Sequence, residues 1–282
     1  MDGVYNGAGL GPVAVAYCCP MLTKILIATV AIATGLSALI YAKQEALIFH
    51  PQKLPKDHTF SFPVPFEEVV VDSGGVGIHT LLFPKENSEG VVLYFHGNAG
   101  ALDSWGGLYA DFETLPYDLW IMDYRGFGKS EGKLSGEADL QADALALYQA
   151  AQERYPGKPV VIYGRSIGTG VASWLATQHP PKMLILETPY FNFPDLAGQL
   201  APWAPSALMR YALMNNEHIQ DQPYPVHLIH GDRDTLISVS HSERLAELGE
   251  HIEFHLIKGG GHNDLSAFSR FHGVLSQIFA GS

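Results

Sequence analysis

The chain has 282 residues, of which 47% are hydrophobic, and this is enough for one large domain with a continuous core. Its 17 Lys and Arg residues against 29 Asp and Glu residues give a formal net charge of −12. A surface of that sign argues against nucleic acid as a partner, because such affinity comes mostly from cationic groups that neutralise phosphates.

Cysteine and histidine patterns argue against thiolate and metal chemistry in the main body of the chain. The two cysteines, Cys18 and Cys19, are adjacent and lie upstream of every predicted strand, so the body has no disulfide framework and no thiolate site. The 13 histidines form no HExxH pattern and no Cys/His cluster, and there is no EF-hand-like acidic loop. We interpret them as scattered core and surface histidines, and we expect neither a metal nor a cofactor.

An apolar segment near the N terminus predicts a membrane anchor. Residues 25–42 carry no charge and stand between Lys24 and Lys43, and a helix of that length spans about 27 Å, close to the hydrocarbon thickness of a bilayer. The alternatives are a buried core helix and a cleaved signal peptide, although the residues before a cleavage site fit the latter poorly. We therefore predict a single-pass anchor over 22–43, with Tyr41 at a membrane interface.

The first 21 residues contain no Lys or Arg and show no clear periodicity. We expect them to be a disordered tail, unless translation starts at Met21. If the tail is translated, Cys18 and Cys19 are candidates for palmitoylation. The lysines on the two sides of the apolar segment favour a cytosolic body only slightly, so the side of the membrane stays open.

Beyond the anchor, short apolar runs alternate with helix-like segments, and this pattern predicts a doubly wound, mostly parallel α/β sheet over 44–282. Two β-branched runs around a Gly-Gly turn at 66–84 predict a hairpin. An apolar stripe with helical spacing over 136–155 predicts a helix that covers the sheet. The remaining runs are nearly continuous, as in strands buried on both faces; they are 91–97, 117–124, 159–164, 182–188, 226–232 and 252–259.

Polar residues stand at the carboxyl ends of three predicted strands, where such sheets bind their ligands. Ser166 follows the third buried run, Asp232 and Asp234 follow the fifth, and His262 follows the last after three glycines. A serine is a poor nucleophile until a base takes its proton, and that base needs an acid to orient it. The three strand ends therefore predict a Ser-His-Asp set in which either aspartate can be the acid, while Asp264 is too close to His262 in sequence.

The segment YGRSIGTG at 163–170 has glycines that suit either a phosphate loop or a crowded turn. It has no lysine after the glycines and it follows a mid-sheet strand, so neither the phosphate-loop nor the dinucleotide pattern fits. Gly164 and Gly168 instead flank Ser166 two residues away on each side. We predict a tight strand-to-helix turn that holds Ser166 in a strained conformation, with glycine where a Cβ would clash.

Five motifs follow one another along the chain: HGNAG (96–100), DYRGFGKSEG (123–132), GRSIG (164–168), HGDRDTLI (230–237) and GGGHND (259–264). In this order they resemble the α/β-hydrolase superfamily, in particular its single-span, membrane-anchored serine hydrolases. The resemblance covers about 44–282 and implies the α/β-hydrolase fold, with a short helical cap at about 191–222. It implies that Asp234 rather than Asp232 is the acid, and that the backbone N–H groups of Asn98 and Ile167 form the oxyanion hole.

The same resemblance implies a membrane-bound serine hydrolase that cleaves carboxylic esters or thioesters of lipophilic acyl groups through an acyl-enzyme, without metal or cofactor. An amidase or peptidase that uses the same triad is the first alternative, and a non-catalytic binding protein on a hydrolase fold is the second. We expect His96 to shape its loop rather than act as a base, and Arg165 to pair with a nearby acid. Acyl-chain length and oligomeric state stay open.

Overall fold

The computed structural model describes Gly3 and residues 20–200 and 209–281. The chain forms two compact units, Met1–Ala42 and Lys43–Ser282. The predicted N-terminal tail, with Cys18 and Cys19, lies outside the described residues except for Gly3 and Pro20 onward.

Helix α1 (Pro20–Ile48) contains the predicted apolar segment. Its stretch Thr23–Ile48 has a mean hydropathy of 2.2, and no part of the most apolar window is buried within the protein. By length and composition this stretch can cross a membrane. The helix continues past Ala42 because the residues that follow, KQEAL, are all good helix formers.

The main sheet has the predicted doubly wound, mostly parallel arrangement. The described strands are β1 (His50–Pro51), β2 (Glu67–Asp72), β3 (Gly77–Phe83), β4 (Gly90–Phe95), β5 (Ala99–Gly100), β6 (Tyr117–Met122), β7 (Val160–Arg165), β8 (Met183–Glu187), β9 (Val226–Gly231) and β10 (Ile252–Ile257). Eight of them form one sheet in the order β10-β9-β8-β7-β4-β6-β3-β2. The β2–β3 hairpin and the β3–β6 pair are antiparallel, and all other pairs in this sheet are parallel.

Helices cover both faces of the sheet because its central strands are apolar on both sides. Strands β4, β6 and β8 are buried along their whole length. Helices α4 (Glu137–Arg154), α5 (Gly168–Gln178) and α8 (Ser240–Ala246) pack on one face. Helices α2 (Leu102–Trp105), α3 (Tyr109–Phe112) and α9 (Ser269–Ala280) pack on the other. The stripe predicted over 136–155 is buried as expected; its members are Leu140, Ala144, Leu147 and Ala151.

The predicted cap segment at about 191–222 is described in part. It contains α6 (Phe193–Leu200) and the single turn α7 (Asn215–His218). Leu196, Tyr211 and Leu213 are buried, and positions 201–208 lie outside the described residues. The described part of the segment therefore contains two short helices, and the cap and its bounds stay predictions.

Candidate active site

Ser166 occupies a sharp turn between β7 and α5. Its φ is +54°, a left-handed conformation that is strained for a residue with a side chain. The turn is held by hydrogen bonds on both sides: the Ser166 N–H donates to the Glu187 carbonyl at 2.9 Å, and the Thr169 N–H donates to the Ser166 carbonyl at 3.0 Å. These hydrogen bonds hold the strained turn in place and so restrict the position of the Ser166 side chain.

The two glycines that flank Ser166 lie where a side chain would not fit. A Cβ on Gly164 would lie 2.5 Å from the Gly168 carbonyl oxygen. A Cβ on Gly168 would lie 2.1 Å from the carbonyl oxygen of Phe95 and 2.6 Å from that of His96. These contacts are with backbone atoms, so they cannot be relieved by a rotamer change, and α5 can start this close to β4 only with glycine.

Ser166, His262 and Asp234 form a continuous hydrogen-bonded chain. His262 Nε2 lies 3.0 Å from Ser166 Oγ, and His262 Nδ1 lies 2.7 Å from Asp234 Oδ2. Ionised carboxylates only accept hydrogen bonds, so Nδ1 carries the proton and the Nε2 lone pair faces the serine hydroxyl. This is the tautomer that can remove a proton from Ser166.

The side chain of Asp234 is fully buried, and its carboxylate oxygens make four hydrogen-bond contacts. Oδ1 accepts from the N–H groups of Leu236 and Ile237, each at 2.8 Å, while Oδ2 faces His262 and also His230 Nε2, at 3.1 Å. Burial by itself would raise the pKa of Asp234, but the hydrogen bonds from His230, His262 and the Ile237 amide outweigh it and hold this pKa well below its usual range. The carboxylate is therefore ionised at neutral pH.

The other two aspartates considered from the sequence have different roles. Asp232 Oδ1 accepts a hydrogen bond from the Gly259 N–H at 2.6 Å. Asp264 Oδ1 accepts one from the Gly261 N–H, also at 2.6 Å. Both carboxylates thus cap backbone turns beside the loop that carries His262, and the imidazole bonds to Asp234 instead.

Close backbone packing brings the Asp234 and His262 loops together. A Cβ on Gly231 would lie 2.1 Å from the Gly260 carbonyl oxygen, so the ends of β9 and β10 approach more closely than side chains allow. The Arg233 N–H donates to the same Gly260 carbonyl at 2.9 Å. The two loops are therefore packed directly against each other, which restricts the distance between acid and imidazole.

Arg165 connects the His262 loop to the strand that precedes Ser166. Its Nε lies 3.2 Å from Glu187 Oε1, and its NH2 group donates to the His262 carbonyl at 3.2 Å and to Asn263 Oδ1 at 3.3 Å. The guanidinium also lies over the Trp105 ring, 5.3 Å from its centre. The expected pairing with a nearby acid is present, and the additional contacts hold the backbone of the His262 loop.

Two backbone N–H groups beside Ser166 have no acceptor among the residues that the structure describes: those of Ile167 and Asn98. Ile167 directly follows Ser166. The second group lies in the loop after β4, where a Cβ on Gly97 would come within 3.8 Å of the Ser166 Cβ. Asn98 is anchored through its other groups, since its carbonyl accepts from the His50 N–H at 2.8 Å and its side chain donates to the Ile48 carbonyl at 2.7 Å.

His96 is buried and packs within the loop that follows β4. Its Nδ1 lies 2.7 Å from the Gly97 carbonyl and its Nε2 lies 3.3 Å from Asp123 Oδ1. The ring stacks on Trp105 with centroids 5.2 Å apart. Both ring nitrogens thus face loop groups, and the imidazole supports the loop that carries Asn98.

Sequence reasoning missed His230, a second histidine on the Asp234 carboxylate. Its Nε2 lies 3.1 Å from Asp234 Oδ2 and 2.9 Å from the Ile237 carbonyl, while its Nδ1 lies 2.7 Å from Ser242 Oγ. Because the first two partners can only accept, Nε2 carries the proton and the Ser242 hydroxyl donates to Nδ1. The HGDRD motif contains this residue, but the contact with Ser242 on α8 is visible only in the fold.

Comparison with known proteins agrees with this fold. A family model described as "Serine aminopeptidase, S33" matches residues 86–216. A Mycobacterium tuberculosis protein of uncharacterised function is 32% identical over 247 residues, which are 83% of this chain and 85% of that protein. The human alpha/beta hydrolase domain-containing protein 17B is 31% identical over 199 residues, covering 68% of this chain and 67% of that protein. The chain belongs to the α/β-hydrolase superfamily, and its membership supports hydrolase activity.

Two further matches extend the comparison. The lysophosphatidylserine lipase ABHD12 of Danio rerio is 34% identical over 187 residues, which are 58% of this chain and 48% of that protein. An esterase from Pyrococcus furiosus superposes with a TM-score of 0.68 at 18% identity, over 83% of this chain and 97% of that structure. At that identity the superposition shows only that the two proteins share a fold. The substrates named for the lipase and the esterase are those of the relatives.

Proposed function

We propose that the protein is a serine hydrolase that cleaves carboxylic esters or thioesters of lipophilic acyl groups through an acyl-enzyme. The observation that carries the proposal is the chain of hydrogen bonds from Ser166 Oγ through His262 to Asp234. In this role Ser166 is the nucleophile, His262 is the general base and Asp234 orients and stabilises the imidazolium that forms.

In the first step the Ser166 oxygen attacks the acyl carbon while its proton passes to His262 Nε2. The negative charge that develops on the acyl oxygen needs preorganised donors. The N–H groups of Ile167 and Asn98 are the candidates for two such donors, since Ile167 directly follows Ser166 and Asn98 follows Gly97, where an added Cβ would lie 3.8 Å from the Ser166 Cβ. His262 then gives its proton to the leaving alcohol or thiol, and a water molecule repeats the sequence to release the acid.

The proposed acyl preference follows from apolar surface and from the anchor. The edge of the Trp105 indole borders Gly97, where an added Cβ would lie 3.3 Å from the ring, and this edge is an apolar flank beside the nucleophile, whereas His96 and Arg165 lie over the ring itself. An anchor over α1 would keep the enzyme at a lipid surface, where acyl substrates are concentrated. One relative's description, lysophosphatidylserine lipase, names a substrate of this class.

A peptidase function is the second candidate because the matching family model is described as a serine aminopeptidase. The same three side chains would perform amide hydrolysis, with His262 protonating the leaving amine. Ester and thioester substrates are favoured by the apolar flank and by the lipase and esterase descriptions among the similar proteins.

A fluorophosphonate probe tests the nucleophile. We expect the full chain to be labelled and Ser166→Ala to lose the label, because the probe phosphonylates an activated serine hydroxyl. Ser266→Ala, which changes an exposed serine outside the hydrogen-bonded chain, is the matched control and should be labelled like the wild type. Absence of labelling in the wild type, or equal labelling of Ser166→Ala, would refute the proposal.

A substrate panel separates the two candidate functions. p-Nitrophenyl esters of increasing chain length, an acyl-CoA and aminoacyl p-nitroanilides are compared by kcat/KM, each with Ser166→Ala as the blank. We expect turnover of esters or thioesters that rises with acyl length. Turnover confined to the anilides would replace the ester proposal with the peptidase, and a preference for acetyl over longer groups would contradict the lipophilic acyl site.

Carbonate extraction of membranes tests the anchor. A spanning helix stays in the membrane pellet at alkaline pH, whereas a peripheral or secreted protein is released. We expect the protein in the pellet, with the molecular mass of the full-length, unprocessed chain. Release into the supernatant, or a mature chain that begins near Lys43, would contradict the anchor.

A further inference from the structure

Three side chains capable of binding a metal converge at the edge of the main sheet. His227 lies on β9, and Glu253 and His255 lie on the edge strand β10. The parallel register pairs His227 with Glu253. Residues two apart on a strand point to the same face, so all three side chains lie on one face. This is the face covered by α9, because the neighbouring residue Ile257 packs into the same core cluster as that helix.

The distances between their ligand atoms are close to those of a tetrahedral metal site. His227 Nδ1 lies 3.2 Å from His255 Nε2 and 3.5 Å from Glu253 Oε2, and His255 Nε2 lies 3.8 Å from that same oxygen. Zinc binds imidazole nitrogen and carboxylate oxygen at about 2.0–2.2 Å with tetrahedral angles, which sets its ligand atoms about 3.3–3.5 Å apart. Two of the three separations lie within about 0.1 Å of that range, and the third must shorten by about 0.3 Å for the atoms to form one face of such a tetrahedron.

We propose that His227, Glu253 and His255 bind a divalent transition metal ion of the Zn²⁺ class, with the fourth position open to water. Two imidazoles and one carboxylate are a donor set that suits zinc and its neighbours, and not Mg²⁺ or Ca²⁺, which require oxygen ligands. The carboxylate makes the position attractive for a cation, although Arg270 is close enough to act electrostatically on His255.

Burial prepares the site and still allows access. The side chains of His227 and His255 are 12% and 4% exposed, so packing restricts their rings, while that of Glu253 is 57% exposed and lies towards solvent. Little ordering is required of the imidazoles when the ion binds, and the ion enters from the Glu253 side.

The site is separate from the Ser166 hydroxyl and goes beyond the proposed hydrolase function. Strands β9 and β10 lead at their carboxyl ends to Asp234 and His262 respectively. An ion bridging the two strands would add a further link to the β9–β10 ladder at the edge of the sheet. We therefore assign it a stabilising role rather than a chemical one.

The motif patterns used on the sequence do not detect this site. His227 and Glu253 are separated by α8 and its flanking loops, so the ligands do not form a short motif. They become neighbours only through the strand register.

The experiment measures metal binding by the full chain in detergent. The protein is purified without a polyhistidine tag and with Cys18→Ser and Cys19→Ser, so that neither the tag nor the adjacent thiols bind the ion. Zn²⁺ affinity and stoichiometry are measured by competition with a chromogenic chelator, and Co²⁺ is added separately because tetrahedral Co²⁺ gives an intense visible absorption. We expect one equivalent of either metal.

Ligand variants and a matched control decide the assignment. His227→Ala and Glu253→Gln should each weaken Zn²⁺ binding by at least about tenfold, the lower limit seen on losing even an outer-shell partner of a metal. His272→Ala removes a histidine on the neighbouring helix α9, outside the cluster, and should bind like the parent protein. Ser166→Ala should also bind normally, which separates this result from that of the hydrolase proposal.

Thermal unfolding gives an independent readout. Zn²⁺ should raise the Tm of the parent protein and of His272→Ala, because an ion that binds only the folded state stabilises it, and it should leave the Tm of Glu253→Gln unchanged. If His227→Ala does not fold, the exposed Glu253→Gln decides the question. Lack of stoichiometric binding by the parent protein, or equal binding by Glu253→Gln and the parent, would overturn the proposal.

Discussion

Replacing Asp234 with Asn tests how the buried carboxylate controls the imidazole. The change keeps the shape of the side chain but replaces one acceptor oxygen with an NH2 donor. One end of the group accepts hydrogen bonds from two backbone N–H groups, those of Leu236 and Ile237, each at 2.8 Å. The other end faces His262 Nδ1 at 2.7 Å and His230 Nε2 at 3.1 Å.

The structure decides which way the amide points. Backbone N–H groups cannot become acceptors, whereas an imidazole can exchange its tautomer, so the amide oxygen takes the backbone end and the NH2 faces His262. His262 must then hold its proton on Nε2, and the lone pair that faces Ser166 is lost. In serine hydrolases this exchange lowers activity by about 10⁴-fold, equivalent to about 5.4 kcal/mol of transition-state stabilisation at about 1.36 kcal/mol for each factor of ten.

The assay is kcat/KM on a p-nitrophenyl ester, with Asp232→Asn as the matched control. Asp232 is also an aspartate at the end of β9, but it accepts from the Gly259 N–H at 2.6 Å and does not contact the imidazole. We expect Asp234→Asn to lose about four orders of magnitude while it remains folded, and Asp232→Asn to lose far less. A folded Asp234→Asn enzyme within about tenfold of the wild type would refute the tautomer argument.

Three further predictions concern the supports of the site. Gly168→Ala would place a Cβ 2.1 Å from the Phe95 carbonyl oxygen; we expect a lower Tm and loss of probe labelling, and a wild-type Tm would contradict the packing argument. Arg165→Lys cannot reproduce the contacts to Glu187 and the His262 loop. We expect kcat to fall by about tenfold while KM stays nearly constant. A rise in KM of about tenfold instead would indicate that Arg165 contacts the substrate. Burial lowers the pKa of His218 to about 4, so between pH 6.5 and pH 4 the unfolded state binds more protons than the folded state, and the free energy of unfolding should fall as the pH decreases from about 6.5 to about 4. In urea unfolding, His218→Gln should show a smaller decrease over the same pH range. An identical pH dependence of the two proteins would contradict the assignment.

The sequence predicted the architecture because its physical causes are local. Continuous apolar runs form strands that are buried on both faces, and the stripe of Leu140 and Leu147 forms the inner side of α4. Ser166 between Gly164 and Gly168 was likewise readable, since the crowding that excludes a Cβ arises within one strand-turn-helix unit and its neighbour β4. The strand ends therefore indicated which residues meet at the carboxyl edge of the sheet.

Other features depend on contacts between distant parts of the chain, which no local pattern encodes. The choice of Asp234 over Asp232 rested on a family resemblance, and the hydrogen bond between Asp234 and His262, at loops joined by the close Gly231–Gly260 approach, is seen only in the fold. The second histidine on that carboxylate became visible only once α8 brought Ser242 to it.

The sequence by itself determined the α/β alternation, the apolar N-terminal helix and the residue types at the strand ends, because propensity, periodicity and turn sterics act over a few residues. Tertiary structure alone decided the hydrogen-bond partners of Asp234, the brace that Arg165 forms with the His262 loop, and the meeting of His227 with Glu253 and His255. Hydrogen bonds and metal-ligand bonds are sensitive to differences in interatomic distance of a few tenths of an ångström. Such distances are set by how whole strands and helices pack, and therefore by the complete fold.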